Sequence, residues 1–385
     1  MPTLSRRLLL SAAATFSLAR PSLADGASNA PATAQTAALS VGVALPLTGF
    51  EALQGDEALR GIQLAEDAVN QSGGIAGAPV TLMVGNMPSQ AEAATVVNQL
   101  ITQNAGVLLG SGNSGLAYPA TAAAELAQTP YIELTAAANG ITDRHFKFLL
   151  RVCPDTSMIG QLAADTIKAR FNKQKLGFLF NTGATAGAVA AATLSALASD
   201  SVPVTFTSAY PNHQADLYAQ VGQMMRAGID VLLHAAGPDD TLALFAAMQA
   251  QGWRPKTLIG CGTGYGLRDT YCALGRALDG TLVIEAPLYP GDAAAVAQAY
   301  EAKYGVPPRS AASCTAYVGA KLVFDTLNAN NADPTQLLGA LRALNLKLGS
   351  LVNGFGVKFD AAGQNTASFV TLQHWQNGQL LPLTA

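Results

Sequence analysis

Residues 105–119 read Ala-Gly-Val-Leu-Leu-Gly-Ser-Gly-Asn-Ser-Gly-Leu-Ala-Tyr-Pro, and residues 129–138 read Thr-Pro-Tyr-Ile-Glu-Leu-Thr-Ala-Ala-Ala. Val107 to Leu109 is a short apolar run stopped by Gly110, which suits a strand buried on both faces of a parallel sheet. Gly110 to Gly115 is small, flexible and polar. Pro119 stands where a first helical turn tolerates it, and Ala120 to Gln128 are good helix formers. Pro130 ends that element, and Tyr131 to Leu134 reads as the next strand. Two strand ends and one helix start therefore meet at one edge of a sheet. In open α/β sheets that edge is where ligands bind. The helix start offers free amides to an anion, worth about 0.3–1 kcal/mol when exposed and up to about 2 when partly buried. Ser111, Asn113, Ser114 and Thr135 add side-chain donors. Two readings follow: a carboxylate-type ligand held there, or an ordinary strand–turn–helix connection.

The same residues fit a third pattern. Gly110-Ser-Gly112-Asn-Ser-Gly115 matches G-x-G-x-x-G, with Glu133 about twenty residues on, which is the dinucleotide fingerprint. It falls in a late unit, whereas dinucleotide folds carry it in their first βα turn.

Outward from this stretch the chain alternates strand and helix. Leu39 to Leu45, Val80 to Val84, Val107 to Leu109 and Tyr131 to Leu134 read as strands, with helices over Asp56 to Gln71 and Gln90 to Gln103 between them. A second β-α block runs from Ser157 to Gly260. Helices are then expected over Val296 to Tyr304, Ala311 to Leu327 and Thr335 to Leu344. Gly354 to Phe359 and Phe369 to Gln376 read as closing strands. The fold class is α/β, with parallel sheets covered on both faces in two blocks.

Composition sets the limits. With 385 residues, 50% of them hydrophobic and 12% charged, two large cores are easily filled. A net charge of -3 argues against a nucleic-acid or anionic-membrane binder. Arg6 and Arg7 precede an apolar run to Ala19, and Ser22-Leu23-Ala24 offers a cleavage site, so residues 1–24 read as a signal peptide. Ser5 to Leu10 also resembles a twin-arginine signal, so either export route fits. Residues 25–37 read as a flexible leader. In an oxidising compartment Cys261 and Cys272 could close the Gly-rich loop between them, while Cys153 and Cys314 read as buried or hinge-adjacent thiols. The four histidines form no motif, and no metal-ligand spacing, nucleophile elbow or P-loop is present. His234 reads as a packing histidine at a strand end, and Asp239 and Asp240 as helix caps. No enzymatic activity and no cofactor are expected.

Several loose motifs in order carry a resemblance. They are Pro46-Leu-Thr-Gly49, Gly55, Gly61, Asn70-Gln-Ser-Gly-Gly-Ile-Ala-Gly77, the loop from Gly110 to Ser114, Pro130-Tyr-Ile132 and Gly354-Phe-Gly-Val-Lys-Phe-Asp360. Together they resemble the branched-chain amino acid and amide-binding proteins of ABC uptake systems, which are type I periplasmic binding proteins. The resemblance implies two doubly wound lobes joined by three hinge strands near Val152, Ala286 and Ser350. One lobe would take residues 38–152 and 286–350, the other 153–285 and 351–385. It implies a ligand carboxylate at Ser114 and at Thr135-Ala136-Ala137. Amino-acid binders carry an acid after the strand that here ends at Gly260, to pair the ammonium. This chain has Cys261-Gly262-Thr263 there. Their ligand-flanking aromatics align with Leu53, Thr185 and Gly237. Phe50, Tyr118 and Tyr265 are then the candidate apolar walls. A buried ammonium without a partner costs several kcal/mol. The expected ligand is thus a carboxylate, amide or apolar metabolite rather than a standard amino acid. The expected partners are that solute and inner-membrane permease subunits, with the protein acting as a monomer in the periplasm. The alternatives are a ligand-sensing periplasmic protein and an exported dinucleotide enzyme.

Overall fold

The computed structural model describes residues 39–214 and 216–383. The expected signal peptide and leader lie outside them. The first block runs β1 (Leu39–Leu45), α1 (Ala52–Gln71), β2 (Val80–Asn86), α2 (Gln90–Thr102), β3 (Val107–Gly110), α3 (Ser114–Leu126), β4 (Tyr131–Glu133) and β5 (Leu149–Arg151). Its strands form one parallel sheet in the order β2-β1-β3-β4-β5.

The second block runs α4 (Thr156–Arg170), β6 (Leu176–Asn181), α5 (Ala184–Ser199), β7 (Phe206–Tyr210), α6 (Tyr218–Ala227), β8 (Val231–Ala235), α7 (Pro238–Ala250), β9 (Thr257–Cys261), α8 (Thr263–Gly266), α9 (Arg268–Leu274) and β10 (Leu282–Glu285). Three helices follow, α10 (Ala294–Tyr304), α11 (Ala311–Ala329) and α12 (Pro334–Ala343), and then β11 (Thr371–Gln376) and β12 (Gln379–Pro382). The second sheet is ordered β12-β11-β10-β9-β8-β6-β7, parallel except where β11 pairs antiparallel with β10 and β12.

Each sheet is apolar on both faces because successive strand residues point opposite ways. Val107 and Leu109 pack under α1 and α11, while Leu108 packs under α2 and α3. In the second sheet Phe178 and Leu233 face α4 and α5, and Leu179 and Leu232 face α6 and α7. Two motif glycines have packing reasons. A side chain on Gly61 would run into the Ser313 carbonyl at 2.1 Å, and one on Gly55 into the Pro46 carbonyl at 1.7 Å. Only glycine lets α1 lie this close to α11 and to the loop after β1.

The chain crosses between lobes after β5 at Val152 and after β10 at Ala286. The third crossing, expected near Ser350, falls later. Val357 is in the first lobe's core beside Leu351 and Phe359, and Gln364 bridges to Arg151, so residues 351–365 stay with the first sheet. Only β11, from Thr371, joins the second. The strand expected over Gly354 to Phe359 is reduced to isolated bridges, Leu346 to Val357 and Phe359 to Asn365. Among the described residues no helix is long and apolar enough to cross a membrane.

A cleft closed between two lobes

The loops at the carboxyl ends of both sheets face one another across a cleft of about 360 Å³. From the first lobe come the loop after β1 (Pro46 to Gln54), the start of α3 (Gly112 to Leu116) and Thr135-Ala136 after β4. From the second come Asn181 to Thr185 after β6, Asn212-His213 after β7, Ala236-Gly237 after β8 and Gly262-Thr263 after β9. A smaller hollow of about 90 Å³ continues toward the hinge. It shares Gln54, Thr135 and Thr263 with the main cleft and is walled by Ile159, Ile284, Ala286 and Ala311.

Several contacts hold the lobes together, three of them around the cleft and at its sides. Phe50 stacks on His213, ring centroids 4.1 Å apart. Gln54 Nε2 donates to Thr263 Oγ1 at 2.5 Å. Arg309, just before α11, bonds Asp56 of its own lobe and Asp269 of α9, both at 2.8 Å.

Of the residues expected at the site, Asn113, Thr135, Ala136, Phe50, Thr185, Gly237 and Gly262 line the main cleft, and Ala137 lines the hinge-side hollow. Asn113 caps α3, its Oδ1 accepting from the Gly115 amide at 2.7 Å, and its Nδ2 donates to Glu51 Oε1 at 3.1 Å. Gly262 has φ +105, a conformation few side chains adopt, and it opens the turn into α8.

Five expectations are corrected. Ser114 is fully buried, and its hydroxyl accepts from the Ala138 amide at 3.2 Å instead of facing the cleft. Tyr265 is fully buried in the second lobe, lying where Gly260 has no side chain, with its hydroxyl on His234 Nδ1 at 2.5 Å. Tyr118 faces Arg144, whose guanidinium sits 5.2 Å from its ring centroid, and Leu53 stays on the surface; neither is among the cleft-lining residues. No disulfide joins Cys261 and Cys272: Cys261 is buried at the end of β9, Cys272 is exposed on α9, and all four cysteines are free.

Glu133 changes the reading of the opening stretch. Its buried carboxylate accepts from the Ser111 amide and hydroxyl, both at 2.7 Å, from Thr135 N at 3.1 Å and from Ala136 N at 2.9 Å. Burial pushes its pKa up and these donors pull it back. Two of the amides expected to hold a ligand carboxylate, those of Thr135 and Ala136, are thus already taken by the protein's own. The same bonds remove Glu133 from any role at a dinucleotide ribose.

The sequence reading missed Glu51, Gln54, Asn181 and His213, which all line the cleft. Burial, then Asp239 and Asp240, push the Glu51 carboxyl up to about 7. The two aspartates do not cap α7. Gly237 is its N-cap, Pro238 opens it, and Asp240 is buried with its Oδ2 accepting from Asn181 Nδ2 at 2.6 Å. The legible signal was position: an acid directly after Phe50, in the loop that leads from β1 into α1.

Two parallel-sheet lobes closing a ligand-sized cleft define a bilobal solute-binding fold, and the comparisons agree. The chain belongs to the periplasmic binding protein family, whose model matches residues 38–379. It is 30% identical over 377 residues to Leu/Ile/Val-binding protein homolog 8 of Brucella suis biovar 1 (strain 1330), covering 94% of both chains. Homolog 7 of Brucella abortus (strain 2308) is 29% identical over 377 residues, covering 93% of this chain and 94% of that one. The fold matches the branched-chain amino acid transporter substrate binding protein LivJ from Streptococcus pneumoniae, solved with isoleucine. That match has a TM-score of 0.80 at 20% identity, over 89% of this chain and 97% of that one. It also matches an R. palustris solute-binding protein solved with benzoate, with a TM-score of 0.78 at 20% identity over 90% and 95%. The protein's role is solute binding, and its family places it outside the cytoplasm.

Proposed function

We propose that this chain is the extracytoplasmic solute-binding component of an ABC importer, clasping a small organic molecule and presenting the closed lobes to permease subunits. The observation that carries this is the cleft itself. It is lined from both sheets and shut by Phe50–His213, Gln54–Thr263 and Arg309–Asp269. A solute touching both walls binds the closed form better than the open one, which is the condition for ligand-driven closure.

Of the three expected ligand chemistries, the carboxylate is disfavoured. Glu133 fills the amides after β4, and among the described residues lining the cleft there is no lysine or arginine. Asn113, Asn181, Gln54 and Glu51 favour a nitrogen-bearing polar head, and the hollow toward Ile159 and Ile284 accepts an apolar remainder. Small-angle scattering during a solute screen tests the reading. A true ligand compacts the particle and raises the melting temperature together. A screen of amines, amides, amino acids and organic acids that produces neither change would sink it.

A further inference from the structure

We infer that the solute carries a cationic nitrogen, an ammonium or amidinium, seated against Glu51 of the first lobe and facing Asp240 of the second. This rests on the solute-binding reading and narrows it. Asn113 holds Glu51 Oε1, leaving Oε2 for a ligand. Opposite, Asp240 is 1% exposed, with Oδ2 on Asn181 and Oδ1 without a hydrogen-bond partner. Asp239 lies beside it on the first turn of α7. Among the described residues lining the cleft, the one titratable nitrogen is that of His213, which stacks on Phe50 and stands 4.0 Å from Asp239. Asp239 and Asp240 do not line the cleft themselves, but their negative charges act on Glu51 from the opposite lobe. A desolvated group of like charges gains from a cation at its centre or from a proton. The pressure toward the proton is visible in Glu51, held up to about 7. A cation between the walls would displace that proton and draw the lobes together.

Glu285, in the hinge-side hollow, is the competing acid. Its Oε2 also lacks a partner and burial alone pushes it up to about 8. Burial is the cause of its shift, and the apolar walls around it, Ile159, Ile284 and Ala311, serve an apolar tail better than a charge.

The test uses the full-length protein and two matched sets: benzylammonium, benzamide and benzoate, and isobutylammonium beside isobutyramide. Calorimetry above about pH 7 should find an ammonium binding at least about tenfold tighter than its amide, with benzoate weakest. Below that pH the proton competes and the preference should shrink, while amide binding stays level. Glu51→Gln should remove the preference for the ammonium over its amide. The wild-type pH profile stands even if that variant misfolds. An amide or benzoate matching the ammonium, or a preference untouched by Glu51→Gln, overturns the inference. If neither ammonium binds while neutral solutes compact the particle, the cation fails and the solute-binding reading survives. If no solute compacts it, both fail.

Discussion

The ring of Phe50 lies on the imidazole of His213 across the mouth of the cleft, with centroids 4.1 Å apart and planes 19° apart. Each residue belongs to a different lobe, so the stack exists only when the lobes meet. Phe50 is 67% exposed, and little else holds its ring. An aromatic pair of this kind contributes about 0.5–1.5 kcal/mol beyond its area. Phe50→Ala should therefore leave thermal stability of the empty protein unchanged and weaken solute binding by about 2- to 10-fold, seen by calorimetry. A variant that binds as tightly as the parent would show that the stack does not contribute to closure.

Arg309 closes the opposite side. Its pair with Asp269 is partly solvated, so about 0.2–1 kcal/mol is expected from it. Arg309→Ala should lower solute affinity by up to about fivefold, and the deficit should fade as salt is added, because salt already screens the pair in the parent. A deficit that persists unchanged at high salt would show that the Arg309–Asp269 ion pair is not what holds this side closed.

Glu133 receives three backbone amides and one hydroxyl, and among the described residues it forms no ion pair. Glu133→Gln turns one acceptor into a donor facing donors. The cost should be about 2–4 kcal/mol in urea unfolding, as for a buried hydrogen-bonded group deprived of a partner. Equal stability of the two proteins would disprove the arrangement.

His234 is buried between Tyr210 and Tyr265, 2.6 Å and 2.5 Å away, and burial holds its pKa down to about 3 against an ordinary 6.5. The unfolded chain takes up a proton below 6.5 that the folded one refuses. The His234 contribution is therefore complete above 6.5 and drains away between 6.5 and about 3, at up to about 1.4 kcal/mol per pH unit. Urea midpoints measured across this range should fall more steeply for the parent than for His234→Gln. Parallel slopes would mean the imidazole is solvated.

Reducing agent should leave the melting temperature unchanged, since all four cysteines are free. A thiol reagent should label Cys272 in the native protein and reach Cys153, Cys261 and Cys314 only after unfolding. A lower melting temperature on reduction would reveal a disulfide.

The period-2 and period-3.6 patterns made the β-α order legible, because strands buried on both faces leave unbroken runs such as Val107 to Leu109. The cleft loops were legible too, since ligands gather at the carboxyl ends of strands. Side-chain direction within those loops was not. Tyr265 looked like a wall and is core, because the bare Gly260 opposite admits its ring. Ser114 looked like a ligand donor, but the turn aims it at Ala138. The late crossing was hidden for a related reason. Val357 reads as one apolar residue among many, and only the packed core shows which sheet it serves.

That packed core has a consequence for synthesis. Val323, Leu341 and Val357 complete the same hydrophobic layer as Val41 and Leu109. Arg151 is satisfied by Gln364, whose amide also bonds the Cys153 carbonyl. A nascent chain halted after β5 would hold all five strands of its first sheet and still lack half the layer that covers one face. The lobe whose strands are translated first is thus among the last parts to become native, because its core is completed only by residues near the other end of the chain.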